Sequence, residues 1–91
     1  MKKFICSVID DLVYSGCIMK VGEKEILIKF FIKKWVIQIQ SITTIIVYKY
    51  WGRVGIEYIS NQCKSFIKIN LFQRKKFLSI LSSKLNCIEY K

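Results

Sequence analysis

The rhythm of this sequence changes near Asn70, where short runs of alternating apolar residues give way to one amphipathic stretch, Asn70 to Asn86. Alternation with period two belongs to strands with one buried face, whereas three- and four-residue spacing belongs to a helix with one buried stripe. Strands first and one helix last predict an α+β fold: about seven antiparallel strands in a curved sheet or partly open barrel, closed by one C-terminal helix. The strands are expected within residues 4–70 and the helix over about 71–86. A chain of 91 residues fits one domain, because a core of this size buries only about two-thirds of the surface exposed by the unfolded chain. With 53% hydrophobic residues, the apolar surface is ample to offset the entropy of ordering the chain.

Phe4 to Ile9 and Leu12 to Val21 read as strands around Asp10-Asp11, and Val21-Gly22-Glu23-Lys24 supplies the next turn. Ile26, Ile28, Phe30 and Ile32 alternate with Leu27, Lys29, Phe31 and Lys33, followed by Trp35, Ile37 and Ile39 in the same inward phase. Lys33-Lys34 reads as a solvated hairpin turn. From Ile39 to Ile45 the apolar residues fall three apart, which predicts a bend or bulge leading into a strand from Ile45 to Trp51. Trp51-Gly52-Arg53 is a turn, Val54, Ile56 and Tyr58 mark the next strand, and Ser60-Asn61-Gln62-Cys63 forms a polar hairpin loop before Phe66 to Ile69.

Asn70 is a preferred N-cap type, and Gln73 stands where the reciprocal partner of a capping box belongs. Phe77, Leu78, Leu81, Leu85 and Ile88 share one helical face, with Lys75, Lys76, Ser79, Ser82, Ser83 and Asn86 on the others. Such a stripe suits a helix buried against the end of a barrel better than one lying on a membrane.

The chemistry available to the chain is narrow. It contains no histidine, so the commonest general base and metal ligand are both missing. Its six carboxylates cluster only as Asp10-Asp11 and Glu23-x-Glu25, each at a turn. Cys6, Cys17, Cys63 and Cys87 form no C-x-x-C pair and read as reduced thiols packed as small hydrophobes. Gly52-x-x-Gly55 lacks the Lys-Ser/Thr and the helix that a phosphate-binding loop needs. These residues point away from an enzyme and imply no cofactor and no metal. Lys29, Lys33, Lys34, Gln38 and Gln40 interrupt the most apolar window, and Asp10-Asp11 cut short the apolar start; neither a spanning helix nor a signal peptide is expected, which favours a cytoplasmic address.

The apolar pattern resembles that of the pleckstrin-homology-like (PH-like) domains, in particular the small bacterial and phage members. The likeness is carried by Trp35 to Ile45, W-x-I-x-I-x-x-I-x-x-I, and by Phe66 to Leu85, in which F-I-K-I-N-L-F-Q-R-K-K-F-L-S-I-L is similar to a last strand running into the helix. The resemblance implies a framework for binding phosphoinositides, peptides or proteins. The segment Gly16 to Lys24 lacks the arginine-bearing basic motif of the phosphoinositide-binding members and carries Glu23, which leaves a scaffold for protein contacts.

Sixteen Lys and Arg against six Asp and Glu give a net charge of +10, a field that favours acidic partners. Abundant Lys, Ile and Asn equally fit an A/T-rich genome, so part of this charge needs no partner. Lys49, Trp51 and Arg53 gather aromatic and cationic groups at one strand end, with Tyr48 and Tyr50 assigned to the core; Trp51, at a turn, is the residue best suited to an interface. Arg74, Lys75 and Lys76, with Lys64 and Lys68 on the preceding hairpin, form a second basic surface at the start of the helix. Cations there oppose the helix dipole by a few tenths of a kcal/mol or more each, a conflict that an acidic partner relieves. The expected function is a small protein-binding module that docks an acidic surface of a partner, suited to a phage- or mobile-element-encoded inhibitor of a host system. The alternatives are nucleic-acid binding through the Lys/Arg surface, attachment to an anionic membrane through the same lysines, and a homodimer covering sheet edges and residues such as Leu27 and Phe31.

Overall fold

The computed structural model describes residues 2–91. Its chain order is β1 (Lys2–Ile9), β2 (Val13–Val21), β3 (Glu25–Phe30), β4 (Lys33–Gln38), a 3-10 turn (Ile39–Ser41), β5 (Ile42–Val47), β6 (Arg53–Ser60), β7 (Cys63–Leu71), α1 (Arg74–Ser82) and β8 (Ile88–Tyr90). The eight strands form one open, curved sheet in the order β4-β3-β2-β1-β7-β6-β5-β8. All neighbours are antiparallel except β8, which runs parallel to β5. The break in the order, where β4 and β5 follow each other in sequence without pairing, is spanned by the 3-10 turn, at the place where three-residue spacing predicts a bend.

The inward phase of each strand supplies the core. Phe4, Cys6 and Val8 on β1, Cys17, Met19 and Val21 on β2, and Ile67, Ile69 and Leu71 on β7 are all buried. Across the break, Ile37 and Ile39 meet Ile42, Ile45 and Val47 in the same apolar cluster. Register irregularities between Cys6 and Val8 and between Ile42 and Thr44 help the sheet to curve over this cluster. The helix covers it with Phe77, Leu78 and Leu81; the Phe77 ring meets Phe4 edge-on at 5.8 Å. No buried side-chain nitrogen or oxygen among the described residues lacks a hydrogen-bond partner.

Several boundaries differ from the sequence expectation. Asn70 does not cap the helix: β7 continues through it to Leu71, paired with Arg53 on one side and Ser7 on the other. Its side-chain oxygen accepts a hydrogen bond from Arg53 Nε at 2.8 Å instead. The helix begins at Arg74 behind Gln73, whose side chain makes no capping bond, and it ends at Ser82, so Leu85 lies beyond it. Ile88 belongs to an eighth strand: Ile45 N–H donates to the Cys87 carbonyl, and Lys91 N–H to that of Val47, both at 2.9 Å. Fixing the open edge of β5 satisfies backbone groups that another helical turn would leave bare. The expected strand from Ile45 to Trp51 is Ile42–Val47. The β3–β4 turn is formed by Phe31-Ile32, while Lys33 and Lys34 open β4.

Candidate interface at the start of the helix

The β5–β6 connection folds back onto the end of β7 through Gly52. Its φ of 69° lies in the left-handed region, and a Cβ there would stand 2.6 Å from the Leu71 carbonyl oxygen. Leu71 N–H donates to the Gly52 carbonyl at 2.7 Å. Only glycine admits this close approach. It leaves Trp51 67% exposed beside Phe72, which is 70% exposed, with the rings edge-on at 6.3 Å.

Arg74 ties the connection to the helix. Its Nη1 donates to the carbonyls of Tyr48 at 2.7 Å and of Tyr50 and Arg53 at 3.0 Å. Those carbonyl dipoles also offset the cost of a cation in a first helical turn. Arg53 is likewise engaged, bonded to Asn70 and stacked over the Tyr50 ring at 4.4 Å. Both arginines therefore position the loop. Lys49, Lys75, Lys76 and Lys91 are exposed cations at this end.

An open cleft of about 430 Å³ follows from this arrangement, lined by Trp51, Gly52 and Leu71 to Lys76. Its apolar floor continues past Phe72 onto Lys3, Ile5 and Ile18. On the other side of Arg74 and Lys75, a second recess reaches Lys49, Tyr90 and Lys91. Trp51, Lys49, Arg74, Lys75 and Lys76 are thus brought to one end of the molecule, with Arg53 behind them. Lys68 reaches the edge of this cluster through Tyr48, its ammonium 5.7 Å from the ring centre. Lys64 does not join it: it pairs with Ile59 near the far hairpin, six residues along β7 from Asn70, or roughly 20 Å at strand rise.

Tyr48 and Tyr50 are not core residues. Tyr50 is exposed, and Tyr48 is half-buried against the outer side of Gly55, where a Cβ would meet its ring at 3.1 Å. Sequence reasoning missed Phe72, Ile5 and Ile18. Their signal was phase: with Phe4, Cys6, Cys17, Met19 and Leu71 inward, these apolar residues must face out.

The buried thiols are poor nucleophiles. Burial, with Cys17 nearby, pushes Cys6 up to about 12, and burial also raises Cys17 despite a backbone hydrogen bond that lowers it. Among the described residues, no group of three or more His, Cys, Asp or Glu side chains is placed to hold a metal ion, and no helix is long and apolar enough to cross a membrane. No protein-family model, curated protein or solved structure matches the chain.

Proposed function

We propose that this chain is a non-enzymatic binding module that docks an acidic surface of another protein on the Trp51–Phe72 cleft. The observation carrying this reading is the exposed aromatic pair at 6.3 Å beside Lys75 and Lys76. Tryptophan and phenylalanine provide large, nearly rigid apolar anchors, and a polar rim around such anchors is the usual anatomy of an interface. Arg74 and Gly52 hold the floor of the cleft in place before any partner arrives, which lowers the ordering cost of binding. A second copy of the chain is a poor occupant, because a two-fold contact would bring the same lysines together.

We further propose a PH-like scaffold for this module. Two antiparallel meanders, β1–β4 and β5–β7, joined through the β1–β7 pair and open between β4 and β5, with a helix following β7, support it; β8 is an addition to that plan. A small basic binding module also suits the inhibitor role expected from the sequence.

The test is capture from nuclease-treated lysate by the native chain, a Trp51→Ala/Phe72→Ala variant and a Lys75→Glu/Lys76→Glu variant. One saturable protein partner is expected with the native chain, and both variants should lose it, by about tenfold or more. Capture that disappears on nuclease treatment would assign the lysines to nucleic acid instead, with affinity falling steeply with salt. Capture unchanged in both variants would overturn the assignment to this cleft.

A further inference from the structure

The turn between β3 and β4 is built against the ordinary rules for a two-residue hairpin loop. Its central residues are Phe31 and Ile32, flanked by the Phe30–Lys33 pair. Phe31 has a φ of 51°, in the left-handed region where glycine or asparagine usually stands in such turns. Phe31 is 87% exposed and Ile32 102% exposed, so both side chains project into solvent. Strain and apolar exposure coincide at one protruding point, a combination that folding alone does not reward.

Aromatic and cationic side chains together surround the base of this tip. Immediately behind it stand Tyr14, Phe30 and Trp35, half-buried, with Tyr14 edge-on to Phe30 at 5.3 Å and to Trp35 at 5.4 Å. Lys33 donates to the Tyr14 hydroxyl at 3.3 Å and lies over the Tyr14 and Trp35 rings. Lys29 and Lys34 are directly opposite each other on β3 and β4, a like-charge pairing that weakens the isolated sheet. Beside Phe31, an open recess of about 460 Å³ is lined by Lys3, Lys20 and Lys29 and by no carboxylate.

We propose that the Phe31-Ile32 tip inserts into the interface of an anionic lipid bilayer. A protruding apolar point backed by the Phe30–Lys33 and Lys29–Lys34 pairs, with Tyr14 against Lys33 and Trp35 one strand pair farther back, suits an apolar tip in the acyl boundary whose long cationic side chains and aromatic rings share the headgroup layer. Phe31 and Ile32 enter the acyl boundary, Tyr14 and Trp35 lie at headgroup level, and Lys29, Lys34, Lys20 and Lys3 meet lipid phosphates. The bilayer surrounds a protruding wedge on all sides and relieves the Lys29–Lys34 repulsion. This surface is separate from the Trp51–Phe72 pair, and its test does not depend on that cleft.

The test is co-sedimentation with vesicles of phosphatidylcholine alone and of phosphatidylcholine mixed with phosphatidylserine, combined with tryptophan fluorescence in a Trp51→Phe background that leaves Trp35 as the only tryptophan. Binding to the mixed vesicles only, with a blue shift of Trp35, is expected. Phe31→Ser/Ile32→Ser should weaken this binding about tenfold or more, and Lys29→Gln/Lys34→Gln should weaken it and flatten its salt dependence, with circular dichroism unchanged in both. Phe31→Gly separates the tip from the fold: it relieves the backbone, so denaturant resistance is retained or raised while vesicle binding falls. Absence of vesicle binding, or binding unaffected by Phe31→Ser/Ile32→Ser, would overturn the proposal. Binding without a Trp35 shift would also overturn insertion, leaving electrostatic attachment alone.

Discussion

At the scale of single residues, the two buried glycines of β6 and its preceding turn do different work. Gly52 combines a φ of 69° with a backbone atom 2.6 Å from any Cβ, whereas Gly55 faces the end of the Phe66 ring at the same distance. Phe66 is partly exposed and can swing away; the Leu71 carbonyl cannot. Gly52→Ala should therefore cost about 2 kcal/mol or more, and Gly55→Ala clearly less, in urea denaturation. The thiols supply a pH dependence. Because Cys6 in the folded chain is raised from 9.0 to about 12, the folded state holds its proton where the unfolded state has lost it. Its contribution is complete below pH 9.0 and declines as pH rises from there toward 12. Cys6→Ala should flatten that decline in alkaline denaturation curves, at the cost of a lower plateau from the lost packing. In the native state, a thiol reagent should label exposed Cys63 quickly and Cys6 and Cys17 only on unfolding.

At the scale of elements, Arg74 joins the helix to a loop that is otherwise held to β7 through Gly52 and Arg53. Removing its guanidinium takes a shared donor nitrogen from three carbonyls, of which those of Tyr50 and Arg53 keep the backbone N–H groups of Arg53 and Tyr48. Arg74→Met should lower stability by about 1–3 kcal/mol and speed amide hydrogen exchange at Arg53, whose N–H bonds the Tyr50 carbonyl inside the same loop at 3.1 Å. Arg74→Lys restores charge without the planar fork and should recover only part of the loss. The same element shows how far sequence reads. Phe77, Leu78 and Leu81 were legible as a buried stripe because helical periodicity is local. The helix start was not, since Asn70 is as good a hydrogen-bond partner for Arg53 as for a helix terminus.

At the scale of the whole molecule, two of the clusters of lysines and exposed apolar residues adjoin. Lys3 and Ile18 border both the recess beside Phe72 and the recess beside Phe31, so the two proposed surfaces meet along the outer side of β1 and β2. The anchors are nevertheless different side chains on different connections. Combining Trp51→Ala/Phe72→Ala with Phe31→Ser/Ile32→Ser should remove both kinds of binding. Each pair alone should remove one, and the stability effects should add to within about 0.5 kcal/mol in denaturant titrations.

By itself the sequence determined which residues face inward on most strands, the order of strands before helix, and the exposure of Trp51, because side-chain alternation and turn chemistry are encoded within a few residues. Tertiary structure alone decided that Asn70 extends β7, that a three-residue segment at Ile88 pairs with β5, and that Arg74 is committed to backbone carbonyls. It also brought Phe72, from the end of β7, beside Trp51 from another turn. Each of these depends on which distant backbone edge or donor comes within hydrogen-bonding range, and no period in the sequence records that distance.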